Sequence, residues 1–368
     1  MAEDIYRKVQ QQLDQYSIGF PETESGVEIK ILKFLFNEEE AALFNQLNGE
    51  LETPSSIAQR IGQVEPELIP KLETLAQKRL IYRLHEGGAV KYSAIPFIHG
   101  LLEFQDSWMS QELVDLTAKY IREKLRDNLA GGTGSGMRVL PVKEAVDVQS
   151  EVATYDDVYE ILKNEELIAV ADCSCRLQRK VFDKACDSLM EACIMVGPMA
   201  DYYLENNMGR KINLEESMEI IAKSHEQGLV TQTQSITRPF MICNCCNCCC
   251  GFLGAVRRMP TPAQLVISNH IAVVDPEKCT GCESCIDMCL TQAIKMDSDN
   301  IAQVDYDRCI GCGLCEPVCP DDARALLFKP KEEQNEPKES LHEQMMRGAK
   351  HRTGKAIARK DVVSFGYE

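Results

Sequence analysis

The chain has 368 residues, 44 % apolar and 26 % charged, with a formal net charge of −17. That length allows two or three domains of ordinary globular composition. No apolar stretch reaches the length of a bilayer span, and the acidic balance opposes phosphate backbones while favouring basic faces on protein partners.

The first domain expected in chain order covers residues 1–100, a compact unit with an N-terminal extension. A helix is predicted over residues 38–47. Thr53-Pro-Ser-Ser-Ile-Ala-Gln-Arg-Ile-Gly62 reads as a capped short helix with a glycine stop, and a further helix follows over residues 66–78. Residues 80–84 and 89–93 alternate as two strands around His85-Glu-Gly-Gly88. Helix, helix-turn-helix and β-wing resembles the winged-helix domains of small repressors. The resemblance does not carry DNA binding with it. The second helix of the pair begins Glu65-Pro66-Glu67, and residues 1–130 hold 14 Lys and Arg against 21 Asp and Glu. A protein-docking use is therefore expected, with nucleic acid disfavoured.

Residues 101–136 read as helices and a linker. Trp108, Leu113 and Tyr120 are expected in the core. Gly131-Gly-Thr-Gly-Ser-Gly136 lacks the Lys-Ser/Thr of a phosphate loop and the glycine spacing of a dinucleotide site, so it reads as a flexible connection.

Residues 137–266 form a cysteine-rich metal or cluster domain with α/β character. Cys173, Cys175, Cys186 and Cys193 make one group in sequence. Cys243, Cys245, Cys246, Cys248, Cys249 and Cys250 crowd a single octapeptide. Residues 168–172 read as a buried strand, so that Cys173 and Cys175 would share one side of its extension. Residues 184–195 read as a helix that would put Cys186 and Cys193 on one face. The octapeptide reads as an irregular loop wrapped on metal, with Pro239 breaking any helix before it. Arg176 and Arg238 are placed to offset thiolate charge. Two helices are predicted between the groups, over residues 197–206 and 214–227, the second stopped by Gly228. His225 on the second reads as a surface or cap residue. Three readings of the ten cysteines stay open: two further [4Fe–4S] clusters on eight of them, one unusual cluster with a substrate-accessible iron, or else zinc or free, redox-labile thiols.

Residues 267–328 carry the most specific pattern. Cys279, Cys282, Cys285 and Cys289 are spaced C-x2-C-x2-C-x3-C, and Cys309, Cys312, Cys315 and Cys319 repeat the spacing before Pro320. This is the run that holds two cubane [4Fe–4S] clusters. Zinc prefers cysteine pairs separated by a longer spacer, and disulfides suit small secreted domains. Val274-Asp275 and Val304-Asp305 stand before the two runs in matching positions, so each half should be strand, cluster loop, helical turn and return strand. The segment resembles bacterial two-cluster ferredoxins. In that family the fourth cysteine of each run crosses to the other cluster. The resemblance thus implies one set of Cys279, Cys282, Cys285 and Cys319, and a second of Cys309, Cys312, Cys315 and Cys289. Gly281, Gly311 and Gly313 suit loops that turn backbone N–H groups toward sulfur. Leu290 stands where the family has proline.

Residues 329–368 form a polar tail with six Lys or Arg and no acidic residue between Arg347 and Lys360. It is expected to be solvated, to meet an anionic surface or to fold back on the clusters.

The whole chain resembles a group of anaerobe proteins described as 4Fe–4S dicluster ferredoxin-type proteins, with a winged-helix front and a C-N-C-C-x-C-C-C stretch. The fold class expected is a multidomain α+β protein: winged helix, central α/β cluster domain, C-terminal two-cluster ferredoxin fold. The function expected is single-electron transfer to or from a partner oxidoreductase, as a carrier subunit more than a stand-alone enzyme. Two [4Fe–4S] clusters and one or two further central clusters are the expected cofactors. A redox-sensing transcription regulator and a reductase acting at the central cluster are the alternatives. Eighteen cysteines with no apolar leader after Met1 point to a reducing cytoplasm.

Overall fold

The computed structural model describes residues 4–16, 18–125, 136–142, 155–337, 339–353, 363 and 365–367. The chain is mixed α/β with several small sheets, an α+β arrangement. The front consists of α1 (Ile5–Leu13), α2 (Val27–Leu35), α3 (Glu38–Phe44), α4 (Pro54–Ile61) and α5 (Glu65–Gln77). The hairpin β1 (Tyr82–Glu86) and β2 (Ala89–Ser93) follows. Local chemistry sets these boundaries. Asn37 and Glu40 exchange side-chain and backbone bonds at 2.9 Å, a capping box that starts α3. Thr53 caps α4, and Gly62 at φ 69° ends it.

Two sequence expectations shift here. The first strand begins at Tyr82, because the turn uses only Gly87 and Gly88, both at positive φ. Trp108 is 49 % exposed rather than core, lying 4.2 Å under the Arg79 guanidinium. Leu113 and Tyr120, on α6 (Gln111–Tyr120), are buried as expected. Of the glycine-rich stretch, all but Gly136 lies outside the described residues.

The centre is a six-stranded antiparallel sheet in the order β3-β7-β8-β5-β4-β6. Its strands are β3 (Met137–Val139), β4 (Ile168–Asp172), β5 (Glu191–Val196), β6 (Gly209–Ile212), β7 (Val230–Gln234) and β8 (Met241–Cys245). Side chains alternate between two faces. Ile168, Val170, Ile194, Val196 and Ile242 pack toward the helix Leu214–Glu226 through Ile220 and Ile221. Burying each such side chain contributes about 1.5–3 kcal/mol. Ala169, Ala171, Cys193, Met195 and Met241 face the opposite way and join the core of the front helices. The sulfur-bearing face is therefore roofed by residues 97–125.

Two sequence readings are corrected in this region. The helix expected over residues 184–195 is absent: residues 184–190 are irregular and 191–196 are a strand, because the β-compatible run Ala192-Cys-Ile-Met-Val196 pairs on both sides. Residues 243–245 of the expected loop are also strand, the end of β8, pinned between β5 and β7. The helices Gly197–Glu205 and Leu214–Glu226 form where periodicity puts them, and Gly228 sits at φ 71° after the second.

At the C-terminal side β9 (His270–Val274) pairs with β12 (Arg324–Phe328), and β10 (Ile294–Met296) with β11 (Ala302–Val304), all antiparallel. The first strand of one half thus pairs with the last strand of the other. A buried Arg138–Asp156 ion pair at 2.6 Å ties the sheet edge to this unit. Asn269 donates to the same carboxylate at 2.8 Å, and Arg138 also bonds Ser235 and the carbonyl of Asn335.

Arg347 and Lys350 of the basic run are exposed, residues 354–360 lie outside the described residues, and the described end of the tail beyond them is buried. Val363, Phe365 and Tyr367 are at most 3 % exposed. Phe365 sits edge-on to Tyr82 and near Phe240, and the Tyr367 hydroxyl donates to the Val196 carbonyl and accepts from Met199 N. The tail returns to the junction of front and central regions, not to the dicluster cysteines. Among the described residues, no helix is long and apolar enough to cross a membrane.

Candidate metal centres

The eight C-terminal cysteines line two small cavities. Cys279, Cys282, Cys285 and Cys319 line one of about 10 Å³, and Cys289, Cys309, Cys312 and Cys315 line one of about 20 Å³. The fourth cysteine of each run thus lines the cavity of the other run's first three. Backbone amides support the sulfurs: Ala293 N donates to Cys289 at 3.1 Å, and Ala323 N donates to Cys319 at 3.3 Å, in equivalent positions of the two halves. Arg324 Nη2 donates to Cys285 at 2.8 Å. Gly311, at φ 65°, is irreplaceable for space as well, since a Cβ would come within 2.2 Å of the His270 carbonyl. Thiolates around a small cavity with converging N–H donors fit an inorganic cluster. Leu290 removes no ligand, and its carbonyl accepts from Asn247 of the octapeptide at 3.4 Å.

Residues 272–326 match the 4Fe-4S dicluster domain. This segment is an iron–sulfur unit of ferredoxin type, and iron–sulfur electron transfer is its general chemistry. No curated protein and no solved structure matches the chain.

Beside the dicluster segment, the ten central cysteines regroup in space in a way their sequence spacing does not suggest. Cys186, Cys246, Cys248 and Cys249 form one set, all four sulfurs within 4.8 Å of one another. Cys173, Cys175, Cys193, Cys243, Cys245 and Cys250 form the other. These six line one cavity, and their thiols influence one another's ionisation in the order 173–175–250–245–243–193 and back to 173, which makes them a ring.

Strand register explains the ring. Cys193 lies directly opposite Cys243, and Cys245 follows on the same face two residues later. Ala171 pairs with Cys193, and a bulge after it delivers Cys173 to the start of the helix Ser174–Lys180. Cys175 is therefore on a helix rather than an extended segment, and Cys186 and Cys193 belong to different sets.

Six thiols in one buried ring cannot all ionise unaided. Cys173 is held far below the usual thiol range by bonds from Cys175 and Cys193. Cys175 and Cys193 are pushed well up, first by bonding to Cys173, and burial raises them further. Arg176 is fully buried and donates to the carbonyls of Leu189 and Asn244 at 2.9 and 3.1 Å. Burial works against its charge, but Cys173, Cys246 and Cys186 outweigh it and raise its pKa. It serves both sets. Arg238 serves neither: it is exposed and lies over the Tyr367 ring. His225 bonds Thr231 at 2.8 Å and belongs to no cysteine set.

Sequence reading missed the cavity against the ring. It measures about 480 Å³, far more than the dicluster cavities. Its roof brings His99, Glu103 and Asp106 from the segment after the hairpin, and exposed Arg122, Arg179 and Arg258 also line it. Burial raises the Glu103 carboxyl to about 7 and lowers His99 to about 4. Asp106, likewise raised by burial, accepts from Ser174 Oγ at 2.7 Å. His99 adopts φ 59°, the only signal of which is Gly100 beside it.

Proposed function

We propose that this protein moves single electrons between a partner's redox centre and a cluster held by the central ring of six cysteines. The dicluster segment would be the relay. Cys279, Cys282, Cys285 and Cys319 would hold one cubane, and Cys309, Cys312, Cys315 and Cys289 the other. The observation that carries this reading is the continuity of one apolar core from the dicluster cysteines to Cys245 and Cys250 of the ring. The outer end of the path is the exposed Cys282, with the exposed Glu283 and Asp321 beside it. An acidic rim recruits a basic partner face.

Residues 1–100 act in this scheme as a winged-helix docking module, residues 137–266 as the central cluster domain, and residues 267–328 as a ferredoxin fold. On α5, Lys78 pairs with Glu40 at 2.5 Å, while the following Arg79 is buried, and Val64 and Ile69 are exposed. That surface suits an apolar protein contact better than DNA phosphates.

A second reading, reduction of a small molecule at the ring, is favoured by the cavity alone. A carrier needs no chamber of about 480 Å³ beside its cluster. Glu103 would supply protons and the arginines would attract an anionic substrate, the electrons coming from the dicluster relay.

The test is stepwise reduction of anaerobically purified protein followed by electron paramagnetic resonance. Electron transfer predicts dicluster signals and a distinct central signal that exchange electrons with one another. A central region that stays silent and iron-free at every potential removes the proposal.

A further inference from the structure

The sulfurs of the four-membered set stand within contact distance of one another, with Cys248 and Cys249 also on the wall of the large cavity. Cys186 stands 3.7 Å from both Cys246 and Cys249, and Cys248 stands 3.8 Å from Cys249. A tetrahedral zinc ion with Zn–S bonds of about 2.3 Å places its ligand sulfurs about 3.8 Å apart. In a cubane each thiolate binds its own iron with the whole core between them, so the sulfurs must spread wider.

Two further observations fit a single ion. Backbone amides turn onto these sulfurs, Cys186 N toward Cys249 and Cys249 N toward Cys246, each at 3.4 Å. The buried Arg176 supplies positive charge, which four thiolates around one divalent ion leave wanting.

We infer that Cys186, Cys246, Cys248 and Cys249 hold one zinc ion, closed and structural, beside the cluster chemistry and not part of it. Zinc suits a tetrahedral all-thiolate site and outcompetes iron(II) in the general order of divalent affinities. The ion's role follows from chain order. Cys245 and Cys250 flank the four-residue segment 246–249 and both belong to the six-thiol ring. Clamping residues 246, 248 and 249 to Cys186 fixes where those two flanking thiols point. This holds whether or not the ring carries a cluster.

The test uses the full chain, purified without oxygen. Metal analysis should find about one zinc per chain, and absorption at the zinc edge should give four sulfurs at about 2.3 Å. Cys248→Ser should release the zinc while the dicluster resonance signals and their iron and sulfide persist. The inference fails if the unmutated chain holds no zinc and Cys248→Ser instead removes about four irons with their sulfide. The edge measurement needs no variant, so a misfolded Cys186→Ser or Cys248→Ser protein would not leave the question open. An unmutated chain that holds the zinc but shows no central resonance signal would count against the electron-transfer reading, not against this site.

Discussion

Arg176 Nη2 donates to the carbonyl of Asn244, the residue between Cys243 and Cys245, at 3.1 Å. One buried cation thereby joins the helix that follows Cys173 to the strand that carries two ring thiols, and its other nitrogen reaches Leu189 O at 2.9 Å.

Arg176→Met should remove the donor to the Leu189 and Asn244 carbonyls and leave the thiolates without their buried counter-charge. Loss of one partner from a buried charged network costs about 3–5 kcal/mol. Anaerobic denaturant unfolding should register it, together with lower central metal content. Arg176→Lys should restore the charge but only one of the two carbonyl bonds.

Cys319→Ser and Cys289→Ser separate the crossed assignment from a local one. Cys319→Ser should disturb the cluster of the first run, and Cys289→Ser that of the second. Each should be read by resonance after pairing with a marker substitution in the first three cysteines of one run. If Cys319→Ser alters only the centre of Cys309, Cys312 and Cys315, the crossing is wrong.

Tyr367→Phe removes the hydroxyl that bridges Val196 and Met199 and should cost about 1–2 kcal/mol. Deleting residues 363–368 also strips Val363 and Phe365 from the core, adding about 1.5–3 kcal/mol for each. Thermal unfolding of the two variants tests the order.

Glu103 makes stability depend on pH. Burial raises its folded pKa to about 7, above the unfolded value, so the folded chain binds the extra proton. Its contribution is fully present below about pH 4 and lost as pH rises through 7, by at most about 3 kcal/mol. Glu103→Gln should flatten that part of the stability profile. A variant with an unchanged slope between pH 4 and 7 would contradict the burial account.

Much of the local structure was legible in the chain. Asn37 with Glu40, Thr53 before Pro54, and Gly87-Gly88 act through neighbours in sequence, so their helix caps and turn follow from residue type. The two cysteine runs are equally local, since a cluster's ligand spacing is a property of a short loop. The strand over residues 191–196 was misread because a short apolar run fits helix or strand until its neighbours β4 and β8 are known. Arg238 failed similarly: nearness in sequence to the octapeptide said nothing of its side-chain direction.

Amino-acid order by itself pointed to iron–sulfur binding near the C-terminus, because the eight cysteines there sit within two short runs. It also supplied ten more thiols. Only the tertiary structure decided how those ten divide, setting Cys245 and Cys246 in different groups although they are adjacent. The reason is physical: Cys245 ends a strand whose long-range register chooses its partners, whereas Cys246 lies beyond the strand end, where the chain turns away.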